Sequence, residues 1–103
     1  MAQKEYAGIM VDVNDEGYLE NSNQWNKDIA AAIAAENGLS LTDKHYAILN
    51  FLRDRVANGE ALTIRSVGKS GIVDIKGFYE LFPGAPLKLA TKIAGVKKPL
   101  SCV

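Results

Sequence analysis

Thr42-Asp43-Lys44-His45-Tyr46-Ala47-Ile48-Leu49-Asn50-Phe51-Leu52-Arg53-Asp54-Arg55-Val56-Ala57-Asn58-Gly59 reads as one complete helix with its start and stop signals. Thr42 is a side-chain cap for the first turn, and Leu41 and Tyr46 are placed as a hydrophobic staple across it. Ile48, Leu49, Leu52 and Val56 fall on one helical face and form its core stripe. Asn58-Gly59 ends the helix after about Ala57. A central amphipathic helix of this length calls for further helices around it.

Upstream, Ser22 caps a first helix that runs to about Asn37, with Gly38 as its stop. Trp25, Ile29, Ala32 and Ile33 lie at i, i+4, i+7 and i+8, one apolar stripe. Tyr6 to Val13 is short, apolar and rich in β-branched residues. Asn14-Asp15-Glu16-Gly17 is a turn signal, so Tyr18-Leu19 returns as a second strand of a small hairpin. Such a hairpin is marginal alone and must pack on the helices.

Downstream the elements shorten. Thr63 caps a turn or two ending near Gly71. Asp74 caps a helix carrying Ile75, Phe78, Tyr79 and Phe82. Pro83-Gly84-Ala85-Pro86 breaks it, and Pro86 suits the first turn of a last helix with Leu89, Ala90 and Ile93 inward. Ala94-Gly95 ends that helix. The predicted fold is mainly α, a compact bundle of about five helices with an N-terminal β-hairpin. Two units are expected: a helical domain over 1–95 and a mobile C-terminal arm over 96–103. Pro99 stiffens that arm and forbids helix there.

The 103 residues fit one domain, and no apolar run approaches the ~20 residues of a membrane span. No basic, then apolar, leader precedes the hairpin, and there is a single cysteine, so a cytoplasmic location is expected. Net charge is zero but uneven. Residues 1–60 carry five Lys/Arg and ten Asp/Glu, a balance of −5; residues 61–103 carry seven and two, a balance of +5. A basic half suits an acidic partner, a nucleic acid or a sulfur anion. Overall neutrality argues against direct binding to a duplex, whose affinity is driven by phosphate neutralisation.

Chemistry concentrates on Cys102, the only thiol, followed only by Val103. One Cys and one His do not complete a four-ligand metal site, and no cofactor motif is present. Gly68-Lys69-Ser70-Gly71 lacks the earlier glycine of a phosphate loop. A Cys102–His45 nucleophile pair is conceivable, but His45 begins an apolar stripe and reads as a structural histidine. An ordinary thiol has a pKa of about 8.5. The neighbouring C-terminal carboxylate raises it by about half a unit, and one cation at about 6 Å returns the same amount. Lys97 and Lys98 are near in sequence; Arg65, Lys69, Lys88 and Lys92 are candidates in space.

These residues resemble the DsrC/TusE family. Lys92-Ile93-Ala94-Gly95-Val96-Lys97-Lys98-Pro99-Leu100-Ser101-Cys102-Val103 is similar to its C-terminal arm, K-I-A-G-L-P-K-P followed by two small or polar residues and C-V. Gly17-Tyr18-Leu19, Trp25, Leu41-Thr42 with His45, Phe51-Leu52-Arg53, Arg65 with Lys69, and Leu81-Phe82-Pro83 recur in order. The resemblance implies a DsrC-like fold and a small cytoplasmic protein that carries sulfur on Cys102. Arg65, Lys69 and Lys92 would stabilise the persulfide anion, and Gly95, Lys98, Pro99 and Val103 would shape the arm. It implies at most a sulfurtransferase-type persulfide carrier. The implied partners are a TusBCD/DsrEFH-like sulfur donor and an acceptor, either a tRNA thiolase making 2-thiouridine or a sulfite reductase. Two-cysteine members work with dissimilatory sulfite reductase, and their second cysteine falls at Thr91 here, so this chain cannot close a disulfide of its own. Other single-cysteine members are considered regulatory. Lys97 in place of a proline, Ser101 in place of a glycine, Tyr46 in place of a tryptophan and the Gly84-Ala85 order depart from the pattern without removing the thiol.

Overall fold

The computed structural model describes residues 2–97. Its elements are β1 (Ala2–Tyr6), β2 (Ile9–Val13), α1 (Lys27–Glu36), α2 (Asp43–Ala57), α3 (Ile64–Gly68), α4 (Ile75–Leu81) and α5 (Pro86–Ile93), with a single 3₁₀ turn at Ser22–Gln24. The predicted architecture of five helices and an N-terminal hairpin is the one observed. Among the described residues no helix is long and apolar enough to cross a membrane.

α2 starts where its cap placed it. Thr42 Oγ1 accepts from the His45 backbone N–H, and the His45 ring accepts in return from the Thr42 N–H at 3.0 Å, a reciprocal capping box. Ile48, Leu49 and Leu52 are fully buried at the centre of the core. Val56 is not: it is 40% exposed. Leu41 and Tyr46 are half-buried against the core. α1 and α2 both pack on α5, and β1 lies against α1.

The hairpin differs from the sequence reading. Tyr6–Val13 is not one strand, because Ala7 and Gly8 make a two-residue turn with φ of 54° and 77°. Tyr6 then pairs with Ile9 and Ala2 with Val13. Positive φ at both central positions matches the twist of the strands. Tyr6, Val11 and Val13 are thereby turned into the core. The Asn14–Gly17 turn is also present, with Asn14 Oδ1 accepting from the Glu16 and Tyr18 N–H groups at 3.0 Å. The return at Tyr18-Leu19 is reduced to a single bridge, Val13 to Leu19.

The first helix is shorter than expected. Ser22 belongs to the 3₁₀ turn, capped by Asn21, and Trp25 is extended at φ −78° and ψ 143°. Asn26 then caps α1 through the Ile29 N–H at 2.9 Å. Trp25 is therefore off the helical stripe, whose buried members are Ile29, Ala30, Ile33 and Ala34. Ala32 is only half-buried. Gly38, at φ 73°, stops the helix as expected, with the Leu39 N–H returning to Ala34 O at 2.8 Å.

Thr63, Asp74 and Pro86 start α3, α4 and α5 as read. Phe78 and Phe82 bury edge to face with centroids 5.7 Å apart. Ile75 and Tyr79, expected on the same stripe, are 46% and 43% exposed. They sit about 60° and 100° around the helix from Phe78, the one residue of α4 that is buried. On α5 the deepest leucine is Leu87, and Leu89 is half-buried. Thr91 is fully buried, its hydroxyl donating to Leu87 O at 2.8 Å. The packed body continues through Val96, which is in the core, to the exposed Lys97.

Candidate functional site at the end of the last helix

The end of α5 is the point from which the chain runs on toward Cys102. Its final turn closes with two backbone bonds, Gly95 N–H to Lys92 O and Val96 N–H to Thr91 O, both at 3.2 Å. That pattern needs a left-handed residue, and Gly95 supplies it at φ 70°. Glycine is required on a second count. A Cβ there would lie 2.4 Å from Trp25 Cδ1 and 2.9 Å from Leu19 Cδ1.

The next two carbonyls of the helix end are taken by side chains from distant elements. Trp25 Nε1 donates to Ile93 O at 2.7 Å, and Arg53 Nη1 donates to Ala94 O at 2.8 Å. The Arg53 guanidinium lies over the Trp25 ring, 4.3 Å from its centroid, and its Nη2 donates to Ser22 O at 3.1 Å. A cation at the carbonyl end of a helix is favourable, and charge-assisted bonds are the stronger kind. Partial burial pulls the Arg53 guanidinium below its ordinary pKa, though it stays charged. Arg53 and Trp25 thus join the 3₁₀ turn, α2 and α5 at one place.

The candidate anion-holding cations fall in two separate clefts. Arg65 and Lys69, both exposed, line a cleft of about 430 Å³ between α3 and α4 together with Gly68, Asp74, Ile75 and Lys76. Gly68 lets the helices approach, since a Cβ there would meet Ile75 Cγ1 at 2.7 Å. Lys92 lines a different cleft, of about 390 Å³, with Tyr18, Lys88 and Pro83 among its walls. Its ammonium lies 5.7 Å from the Tyr18 ring centroid, and Tyr18 Oη donates to Lys88 O at 3.1 Å. Lys4 chiefly, with Tyr6 and more weakly Lys92, holds the Glu36 carboxyl below its usual range. Lys97 borders a third cleft with Asn14, Tyr18, Leu19 and Glu20.

His45 is structural. It is 5% exposed, its Nδ1 faces Thr42 and its Nε2 lies 2.9 Å from Leu81 O. The Thr42 N–H donates to Nδ1, so Nε2 carries the proton toward Leu81. Its ring also meets Phe82 edge-on at 5.1 Å. Of the site residues expected from sequence, Cys102, Lys98, Pro99 and Val103 lie outside the described residues. Trp25 and Arg53 were not read as site residues. Their partners are backbone carbonyls far along the chain, which leave no spacing signal. The sequence signal is that Trp25 and Phe51-Leu52-Arg53 are among the stretches that resemble the family.

Body and site define a class: a small, mostly helical protein whose last helix is clamped at its carbonyl end just before a cysteine-bearing tail. The chain belongs to the DsrC family, whose model, described as DsrC like protein, matches residues 5–103. Sulfurtransferase TusE of Escherichia coli (strain K12) is 36% identical over 106 residues, covering 95% of this chain and 97% of that protein. The crystal structure of dissimilatory sulfite reductase I (DsrI) superimposes with a TM-score of 0.85 at 35% identity, over 99% of this chain and 100% of that one. The NMR structure of Allochromatium vinosum DsrC gives 0.82 at 36% identity, over 98% of this chain and 97% of that one.

Proposed function

We propose that this protein is a sulfur carrier that takes up and hands on persulfide sulfur at Cys102. The observation that carries the reading is a family match running through residue 103 in a chain whose only thiol is Cys102. The relatives named Sulfurtransferase TusE support it.

The chemistry balances without an added oxidant. The Cys102 thiolate attacks the outer sulfur of a donor persulfide, R–S–SH. A new sulfur–sulfur bond forms on Cys102, the donor's own bond breaks, and R–S⁻ leaves and takes up a proton. Cys102–S–SH then undergoes the same attack by an acceptor thiolate. Residues 96–103 act as an arm on a body of 1–95, rooted in the core by the buried Val96, so that the sulfur reaches a partner's cleft. Arg65 with Lys69, and Lys92, offer positive charge at two separate stops for the anionic sulfur. A TusBCD/DsrEFH-like protein is the donor, and the acceptor lies on the route to tRNA 2-thiouridine. A reducing cytoplasm keeps the thiol available.

A second reading, a subunit-like partner of dissimilatory sulfite reductase, is favoured by the structural match to DsrI. Against it, the position of a second cysteine is the fully buried Thr91. Exposure to inorganic polysulfide followed by intact-mass measurement tests the carrier reading. A gain of one sulfur, reversed by reductant and absent from Cys102→Ser, is expected. No gain, or a gain that survives the substitution, refutes it.

A further inference from the structure

We infer that Arg53 and Trp25 are positioning residues for Cys102: by gripping the Ile93 and Ala94 carbonyls they set the direction in which the chain beyond Val96 leaves the body. The functional half of this inference rests on the carrier reading; the geometric half does not.

Carbonyls at a helix end ordinarily turn to water. Here both are held, one by the indole N–H at 2.7 Å and one by the guanidinium at 2.8 Å, from residues 68 and 41 positions away. The two donors form one unit, because the guanidinium stacks on the indole at 4.3 Å. The Arg53 bond to Ser22 O at 3.1 Å fixes the unit to a third segment. Gly95 seals it, with no room for a Cβ against Trp25. α5 also has an anchorage of its own in the fully buried Leu87, Ala90 and Ile93. The grip defines an angle.

That angle is magnified along the tail. The five steps from Lys97 to Cys102 span at most about 18 Å, so a swing of about 30° at the root displaces the sulfur by at most about 9 Å. Transfer needs reacting atoms within about 3.5 Å. A wider sweep also lowers the thiol's effective concentration at a partner.

The chain carries one tryptophan and one cysteine, so Trp25 and a dansyl group on Cys102 make a unique energy-transfer pair. The label is attached in denaturant and the protein refolded. Donor lifetimes give the Trp25–Cys102 distance distribution, with unlabelled protein of each variant as reference. In Arg53→Met the distribution is expected to broaden and its mean to shift by several ångströms. Arg53→Lys, which keeps the cation over the ring but offers a point donor, should fall between. Ile48→Val, a buried change on the same helix, controls for lost stability and should leave the distribution unchanged. Iodoacetamide should alkylate Cys102 at the same rate in unlabelled wild type and Arg53→Met, which separates position from thiol reactivity. An unchanged distribution in Arg53→Met, equal broadening in Ile48→Val, or an altered alkylation rate overturns the inference. Failure of sulfur loading would instead sink the carrier reading and leave the distances standing.

Discussion

Gly95→Ala should be among the most damaging one-methyl changes in this protein. The backbone there has φ 70°, and an L-residue in that conformation costs roughly 1–2 kcal/mol. The added Cβ would stand 2.4 Å and 2.8 Å from Trp25 Cδ1 and Cγ, and 2.9 Å from Leu19 Cδ1. Leu19 is buried and Trp25 packs against the core, and overpacking of this kind costs about 1–3 kcal/mol. If the indole yields, its 2.7 Å bond to Ile93 O is lost, about 1 kcal/mol more. The sum is about 3–6 kcal/mol. Gly84→Ala is the internal control: φ is 92°, and nothing lies within 4 Å of its would-be Cβ, so only the backbone term applies. Urea unfolding followed by Trp25 fluorescence and circular dichroism measures both. With a slope near 1 kcal/mol per molar, the Gly95→Ala midpoint should fall about 2 M or more below that of Gly84→Ala. Equal midpoints would refute the close packing of Trp25 on the helix end.

Three further predictions test other parts of the account. His45→Ala removes a buried ring that caps α2, meets Leu81 O and packs on Phe82, and should cost about 2–4 kcal/mol in urea unfolding while leaving the alkylation rate of Cys102 in folded protein unchanged; a slowed rate would restore the Cys–His pair. Lys4 holds Glu36 below its usual pKa and is itself raised by Glu36. The Glu36 contribution is therefore present above about pH 4.3 and lost as pH falls through its depressed folded value, and the Lys4 contribution is lost only as pH rises past about 10.4. Both side chains are well exposed, so Glu36→Gln should cost only about 0.5 kcal/mol at pH 7 by urea unfolding, shrinking toward zero as pH falls through the depressed folded value. Arg65→Ala and Lys92→Ala should each raise the Cys102 thiol pKa by up to about half a unit, read from alkylation rate against pH. Because the two cations line separate clefts, a thiol beside one is away from the other, so the double variant should also raise the pKa by no more than about half a unit.

Where sequence and structure agree, the deciding interactions are local. Thr42, Thr63 and Asp74 accept from backbone groups three residues on, and Pro86 needs only its own ring to open α5. Where they differ, the cause lies elsewhere in the chain. Trp25 leaves the helix because its indole is drawn to Ile93 O. The Ala7-Gly8 turn carries no asparagine or aspartate to announce it, and is set by which register buries Val11 and Val13. Val56, Ile75 and Tyr79 have helical spacing that fits a core stripe, yet each stays 40% or more exposed. The site divides in the same way. Cys102 is conspicuous by count and by the residues around it, whereas Arg53 acts on a carbonyl 41 residues away, a partner that the recurring Phe51-Leu52-Arg53 stretch does not name.

The most direct measurement is made on the protein as it works in the cell. Rapid alkylation in living cells, followed by mass spectrometry of the peptide bearing Cys102, reports the state of that sulfur. A fraction carrying one extra sulfur, released by mild reductant, is the expected result. A Cys102 found only as plain thiol or as irreversible oxide, under conditions that demand sulfur transfer, would contradict the account.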